Sequence, residues 1–410
     1  MRSEVLHQAE VLVVLVALLG TVVAALSTRL RQLPVSEPLL ALALGVLAGP
    51  VAADWLDVPT LTDGGGRALH EVSSVLLALS VMAVALRFPF DRGRREWRPL
   101  VLLLAVVMPL MALATGVLAW AVLGTSVAAA AVLGAALCPT DPVLASSVVT
   151  GDPAERDLPR RTRLLLSWES GANDGLALPL VVVALSFLTL LTPGAATEEV
   201  VRGVVGGVVL GVVAGEVASR AINAGEEHGA TKEAPIVVFT LVLAVGVLAA
   251  ARQLEVGGVL AVFVTGLVLN ARTPGDDRVR ALTFDEALNR FAVLPLFVLL
   301  GAALPWADWR ALGWPLLVLV VAVLLLRRPP WLLLLRRPLD LPRSDALFLG
   351  WFGPVGVSAV FYLTEASARG AGTDVVAAGA AVVAASTLLH GLTATPGRRL
   401  YAARTASTPD

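Results

Sequence analysis

The chain has 410 residues, of which 57% are hydrophobic and only 15% charged, with a formal net charge of −1. Soluble domains carry about 25% charged residues, so the composition points away from a soluble domain, and the balanced charge leaves no footprint for nucleic acid. The single cysteine, Cys138, rules out a disulfide framework, and no Cys/His spacing suggests a resident metal centre. No Gly-rich phosphate loop with a following Lys is present, the only lysine being Lys232. Neither ATP nor any other cofactor is therefore expected.

Apolar runs of the length needed to span a bilayer recur along almost the whole chain, which predicts an all-α polytopic membrane protein surrounded by lipid. The first run, 9–28, has Arg2, Glu4 and Glu10 at its front flank and Arg29 and Arg31 behind. That polarity is wrong for a cleaved secretory signal and right for a first span whose N-terminus lies outside. Spans two to five are predicted at 36–56, 69–87, 99–123 and 126–149, and spans six to nine at 163–191, 199–220, 234–251 and 256–271. The last four fall at 289–305, 312–328, 345–364 and 373–395, thirteen in all.

The loop FDRGRREWRP, between spans three and four, is the most basic and is assigned to the cytoplasm. Alternating sides from it puts 25 of the 31 Lys and Arg residues inside, which sets the N-terminus outside and the C-terminus inside. Residues 396–410 then form a short cytoplasmic tail. No low-complexity linker interrupts the chain, so residues 1–410 read as one transmembrane domain, in the plasma membrane.

Two spans carry helix-breaking residues in mid-membrane. Span five contains CPTDP at 138–142, with Pro139 and Pro142, and span twelve contains FGPVG at 352–356, with Gly353, Pro354 and Gly356. They lie seven spans apart, so the two halves start from opposite sides of the membrane, as inverted-topology repeats do. Repeat one covers about 9–191, a connector 199–220, and repeat two about 234–395.

The breaks and the neighbouring span carry the chemistry. Pro139 and Pro142 lack an N–H, so the carbonyls of Ala135 and Cys138 lose their helical donors. Bare carbonyls in hydrocarbon cost several kcal/mol unless they line a polar cavity, and such a cavity suits a bare monovalent cation. Thr140 and Asp141 add a hydroxyl and a carboxylate, although Asp141 also has the position of a cap for the next half-helix. In span six, WESGANDGLA places Glu169 over Asn173 and Ser170 over Asp174, in two adjacent polar stripes. An ionised side chain at mid-membrane costs about 3 kcal/mol on insertion scales, and intramembrane acids mark ion or proton pathways. A buried aspartate so placed binds a proton or a cation, but poorly both. If only loaded states cross, competition at one carboxylate couples the two fluxes. Asp174 is assigned that role, and Glu169 a mainly structural one.

These stretches, SEPLLALALGVLAGP, PTDPVLASSV, ESGANDGLALPLV, LPLFVLLGAAL, LLRRPP, FLGWFGPVGVSAVFY and LLHGLT, resemble the cation:proton antiporter family in order and over nearly the whole chain. That family includes prokaryotic sodium/proton antiporters, animal exchangers and fungal plasma-membrane antiporters. The resemblance implies a thirteen-helix, inverted-repeat fold with crossed broken helices, elevator-like alternating access and a homodimer. It implies exchange of sodium, with lithium accepted and potassium as a third candidate, for protons. The bound cation would sit at Asp174, with Asp141, Thr140 and Ser170 as further ligands and Asn173 as an ion- or proton-binding neighbour. The Asn-Asp pair implies electroneutral one-for-one exchange. One departure stands out. Many relatives carry Arg after the Gly-Pro of span twelve, paired with the acid matching Glu169, where this chain has Val355. The FGPVG form is similar to the fungal branch. Glu169 is then left to pair with Arg327 or Arg328, or to stay protonated as a second proton site.

The alternative function is a monovalent cation channel, since an acid-lined break also suits permeation; no pore-loop filter is visible. An intramembrane aspartyl protease is disfavoured because Asp174 lacks the Gly-x-Gly-Asp setting. Among lesser features, His390 reads as a packing histidine, His70 and Glu71 as solvated, and Arg327, Arg328, Arg336 and Arg337 mostly as positive-inside anchors.

Overall fold

Long runs of Leu, Val and Ala favour helix wherever no Pro or Gly pair interrupts them, and every regular element among the described residues is helical. The computed structural model describes residues 2–26, 33, 35–63, 66–86, 94–188, 192–227, 236–272 and 291–406. Arg29, Arg31 and Lys232, the start of the basic loop at 87–93, and the first residues of span ten lie outside the described residues.

The first half of the chain forms α1 (Arg2–Ala25), α2 (Glu37–Ala48), α3 (Gly66–Leu86), α4 (Arg94–Leu102) and α5 (Met108–Leu123). A π turn, Leu103–Val107, joins the last two. It ends two residues before Pro109, whose missing N–H would otherwise serve the carbonyl of Ala105. There follow α6 (Val127–Ala136), α7 (Pro142–Val149), α8 (Gly151–Asp157), α9 (Arg160–Leu176), α10 (Leu178–Leu188) and α11 (Pro193–Glu227). The second half comprises α12 (Ile236–Gln253), α13 (Gly258–Arg272), α14 (Leu294–Ala302), α15 (Trp306–Leu326) and α16 (Pro329–Leu334). It closes with α17 (Arg343–Trp351), α18 (Val357–Ala368) and α19 (Thr373–Ala406).

Among the described residues, seven continuous helical stretches are long and apolar enough to cross a membrane by themselves. Two pairs of short ones are explained by the breaks. A half-helix of ten residues, such as α6, rises only about 15 Å, half of the ~30 Å hydrocarbon core. The pairs α6/α7 and α17/α18 thus make one crossing each, with unwound backbone at 137–141 and 352–356.

Helices α3, α9–α10 and α19 are largely enclosed, whereas α1, α11 and α15 leave most of their surface outside the bundle. Close approaches rest on small residues, as expected where lipid supplies no hydrophobic drive between helices. At the crossing of α2 and α14, a Cβ added to Gly45 would lie 3.0 Å from the Cα of Gly301, so backbone meets backbone there.

The boundaries depart from the sequence reading at several places, three of which are instructive. Helix α2 stops at Ala48, eight residues early, because Pro50 holds Gly49 in extended backbone (ψ −176). Helix α15 begins at Trp306 but is kinked at Gly313, whose φ of 62 lies in the left-handed region. Helix α19 runs through Pro396 to Ala406, so most of the expected tail is helix, and Tyr401 is buried. Its hydroxyl donates to Asp345 at 2.6 Å, and Thr162 donates to the same carboxylate at 2.8 Å. Nearby, Arg398 reaches Asp157 at 2.8 Å. Burial works against the Asp157 carboxylate, but hydrogen bonds from Arg398 and Arg156 outweigh it and hold its pKa below the usual value. These contacts tie the start of α9, the helix of WESGANDGLA, to α17 and α19.

Candidate ion-binding site

The two unwound segments touch. The N–H of Asp141 donates to the carbonyl of Pro354 at 2.9 Å, which joins breaks more than two hundred residues apart in sequence. Four half-helix ends therefore meet in one place, and each carries the partial charge of its unpaired backbone groups.

One anion serves the two N-terminal ends. Oδ1 of Asp141 accepts from the N–H groups of Val143 (2.7 Å) and Leu144 (2.9 Å) at the start of α7. Its Oδ2 accepts from the N–H of Val357, the first residue of α18. Gly356 makes room for this, since a Cβ there would collide with the Asp141 carboxylate. The capping role weighed in the sequence is thus what Asp141 performs, and for two helices at once.

One cation serves the two C-terminal ends. The Arg327 guanidinium donates to the carbonyls of Leu137 (2.8 Å), Cys138 (3.2 Å) and Pro139 (3.2 Å) beyond α6. It also donates to the carbonyl of Gly353 beyond α17. The Ala135 carbonyl meanwhile takes the N–H of Cys138 at 3.4 Å. The carbonyls freed by the prolines thus have donors within the protein, Cys138 from the buried Arg327 and Ala135 from the Cys138 N–H, where the sequence suggested bare carbonyls.

Arg327 and Arg328, read mostly as positive-inside anchors and also as candidate partners of Glu169, are 3% and 1% exposed. The signal for this was present. Arg336 and Arg337 follow only eight residues later across apolar PPWLLLL, and two such pairs cannot share one interface. Arg328 forms a two-pronged pair with Glu169, its Nη2 lying 2.7 Å from Oε2 and its Nη1 bonding Oε1. Its Nε donates to the carbonyl of Leu349 at 2.8 Å, and Gly353 packs directly over the guanidinium. The arginine missing at Val355 is thus replaced in space by one from the end of α15. Val355 itself is buried, and its N–H donates to Ser386 Oγ at 2.8 Å. Ser386 lies 3.1 Å from Nδ1 of His390, whose Nε2 is 2.8 Å from the carbonyl of Trp351. His390 therefore braces the second break as well as filling space.

Around Thr140 the hydrogen bonds close locally. Asn173 donates from Nδ2 to Thr140 Oγ1 (2.8 Å) and accepts the Thr140 N–H at Oδ1 (3.3 Å). The Thr140 and Ser170 hydroxyls are 2.9 Å apart and share a hydrogen bond. Asn173 thus supplies the amide pairing that the proline-interrupted helix cannot.

Asp174 is different. It is 0% exposed, and neither carboxylate oxygen has a hydrogen-bond partner among the described residues. Its backbone carbonyl accepts from the Tyr362 hydroxyl at 2.7 Å, and the side chain of Ser358 adjoins its carboxylate. Sequence reasoning named neither Tyr362 nor Ser358, since a hydroxyl in an apolar helix usually has a local structural reason. His70, read as solvated, instead stacks on Phe361 with ring centroids 4.9 Å apart and lies 3.1 Å from Thr364 Oγ1. Glu71 pairs with Arg252 at 2.7 Å.

Known proteins match this architecture over nearly its full extent. Residues 14–397 match the family described as sodium/hydrogen exchanger, transmembrane. The chain is 31% identical over 351 residues to Na(+)/H(+) antiporter 2 of Zygosaccharomyces rouxii, covering 81% of this chain and 42% of that protein. It is 28% identical over 347 residues to the Na(+)/H(+) antiporter of Saccharomyces cerevisiae, covering 81% of this chain and 35% of that one. It thus spans less than half the length of these two curated relatives. The fold is similar to that of the sodium proton antiporter MjNhaP1 from Methanocaldococcus jannaschii, with a TM-score of 0.80 at 18% identity, over 99% of this chain and 100% of that one. With the all-helical membrane fold, the crossed breaks and the matched 14–397 stretch together, the chain belongs to the sodium/hydrogen exchanger transmembrane family.

Proposed function

We propose that this protein exchanges a monovalent cation for protons by alternating access, with cation and proton competing for the carboxylate of Asp174. The observation that carries this reading is the Asp174 side chain itself, fully enclosed and without a hydrogen-bond partner among the described residues. A buried bare carboxylate costs several kcal/mol, and the cost is relieved by taking up a proton or a cation. The other buried charged groups of the crossing are already engaged: Asp141 by backbone N–H groups, Arg327 by carbonyls, and Glu169 and Arg328 by each other. Asp174 is the group left to change partners. The named activity of the yeast relatives supports the same chemistry.

In this reading Thr140 and Ser170 supply hydroxyl oxygens beside Asp174, and Asn173 holds Thr140 in place. Asp141 acts mainly through its charge and as the cap of both half-helices. Glu169 and Arg328 form a structural ion pair, and Asp174 alone as the exchanging carboxylate gives one-for-one stoichiometry. The two breaks belong to inverted repeats, and the crossing moves as a unit against the remaining helices. Sodium is the first substrate, lithium is accepted and potassium ranks third. The protein works as a plasma-membrane homodimer with its N-terminus outside.

The test is proton flux in proteoliposomes loaded with a pH-sensitive dye, on addition of sodium, lithium or potassium. Cation-evoked proton movement in the opposite direction is expected, insensitive to membrane potential. Cation flux without proton movement would instead make the protein a channel.

A further inference from the structure

We propose that the Ser358 hydroxyl is a further cation ligand at this site, delivered by α18, and that it helps to set the cation preference. The inference rests on Asp174 being the exchanging carboxylate. Ser358 is the second residue of α18 and is 0% exposed, and its hydroxyl has no hydrogen-bond partner among the described residues.

Serine and threonine in a helix ordinarily bond back to a carbonyl three or four residues earlier. Ser73, Ser74, Ser186 and Thr387 all do so in this chain. Ser358 lacks that outlet because the residues before it are the break itself. The carbonyl four residues back, on Pro354, takes the N–H of Asp141 instead.

Tyr362, one turn further along α18, fixes which face of the helix meets α9. Its hydroxyl donates to the carbonyl of Asp174 at 2.7 Å. Residues four apart share a helix face, so Ser358 lies on that same face, beside the Asp174 carboxylate. Two polar groups without partners, both enclosed, thus confront each other across facing helices. A carboxylate and a hydroxyl are hard oxygen ligands suited to a small monovalent cation, and Thr140 and Ser170 add two more from the other side. The hydroxyl serves both loaded states, since it can also accept from the protonated carboxyl. Its proton stays in place throughout.

The experiment measures cation KM and maximal rate for sodium, lithium and potassium in proteoliposomes containing wild type, Ser358→Ala and Ser358→Thr. Loss of one neutral ligand is expected to raise the sodium KM about five- to tenfold in Ser358→Ala. The maximal rate should change little, the KM ratios among the three cations should shift, and Ser358→Thr should restore the wild-type values. An unchanged KM and ranking in Ser358→Ala, or a lowered maximal rate with KM intact, overturns the proposal. If Ser358→Ala does not reach the membrane, Ser358→Cys gives the same reading with nearly the original volume. Asp174→Asn is run in parallel. Exchange surviving in that variant defeats the underlying assignment of Asp174, whereas a silent Asp174→Asn beside a wild-type Ser358→Ala defeats only the ligand role of Ser358.

Discussion

Asp174→Asn is expected to abolish cation-evoked proton movement while leaving the protein folded and, at neutral pH, more resistant to heat. The amide matches the carboxyl in shape and stays neutral, so it imitates the protonated state permanently. It can take neither a cation with useful affinity nor a proton to exchange. The wild-type side chain sits enclosed with no described partner. Keeping it ionised costs several kcal/mol whenever no cation is bound, and the variant removes that cost. Flux in proteoliposomes and thermal melting of the detergent-purified protein read the two effects separately. Retained exchange would move the chemistry to Asp141 or Glu169. A variant that unfolds would make Asp174 a structural residue.

The second large effect concerns Glu169 and Arg328. Removing either partner alone, as Glu169→Gln or Arg328→Gln, strands the other in a fully buried position and should cost about 3–5 kcal/mol. Replacing both by Leu should recover much of that loss, because apolar side chains of similar volume often substitute well for a buried ion pair. Recovery should be incomplete, since Arg328 also donates to the Leu349 carbonyl at 2.8 Å. Melting curves of the singles and the double give the coupling directly. The double variant also tests stoichiometry. If the pair is structural, exchange continues at one proton per cation. A double variant that folds yet loses proton coupling would make Glu169 a second proton carrier.

Much of this architecture can be read in the sequence, because periodic apolar runs and Pro/Gly breaks are local signals. FGPVG marks its unwound segment to the residue and CPTDP to within one residue, and the spacing of Glu169, Ser170, Asn173 and Asp174 follows from helical geometry alone. What the sequence hides is long-range. Nothing near Asp141 says that its carboxylate caps a second helix starting at Val357. Nothing near Pro139 says that its carbonyl is met by Arg327, 188 residues away. Arginines at the end of an apolar run look the same whether they reach the interface or turn into the bundle, so the sequence leaves Arg327 and Arg328 between anchoring and pairing with Glu169. Ser358 shows the opposite limit. Its meaning lies in hydrogen bonds it does not make, which only the packed structure reveals.

The most direct test of the central claim is the apparent sodium KM of the wild-type protein measured across pH. If one proton and one cation compete for Asp174, KM rises tenfold for each unit of falling pH below the pKa of the site and levels off above it. The maximal rate at saturating sodium then shows no matching loss. A sodium KM that stays flat across the active pH range, with acid lowering only the maximal rate, would mean that proton and cation occupy different groups, and would contradict the account.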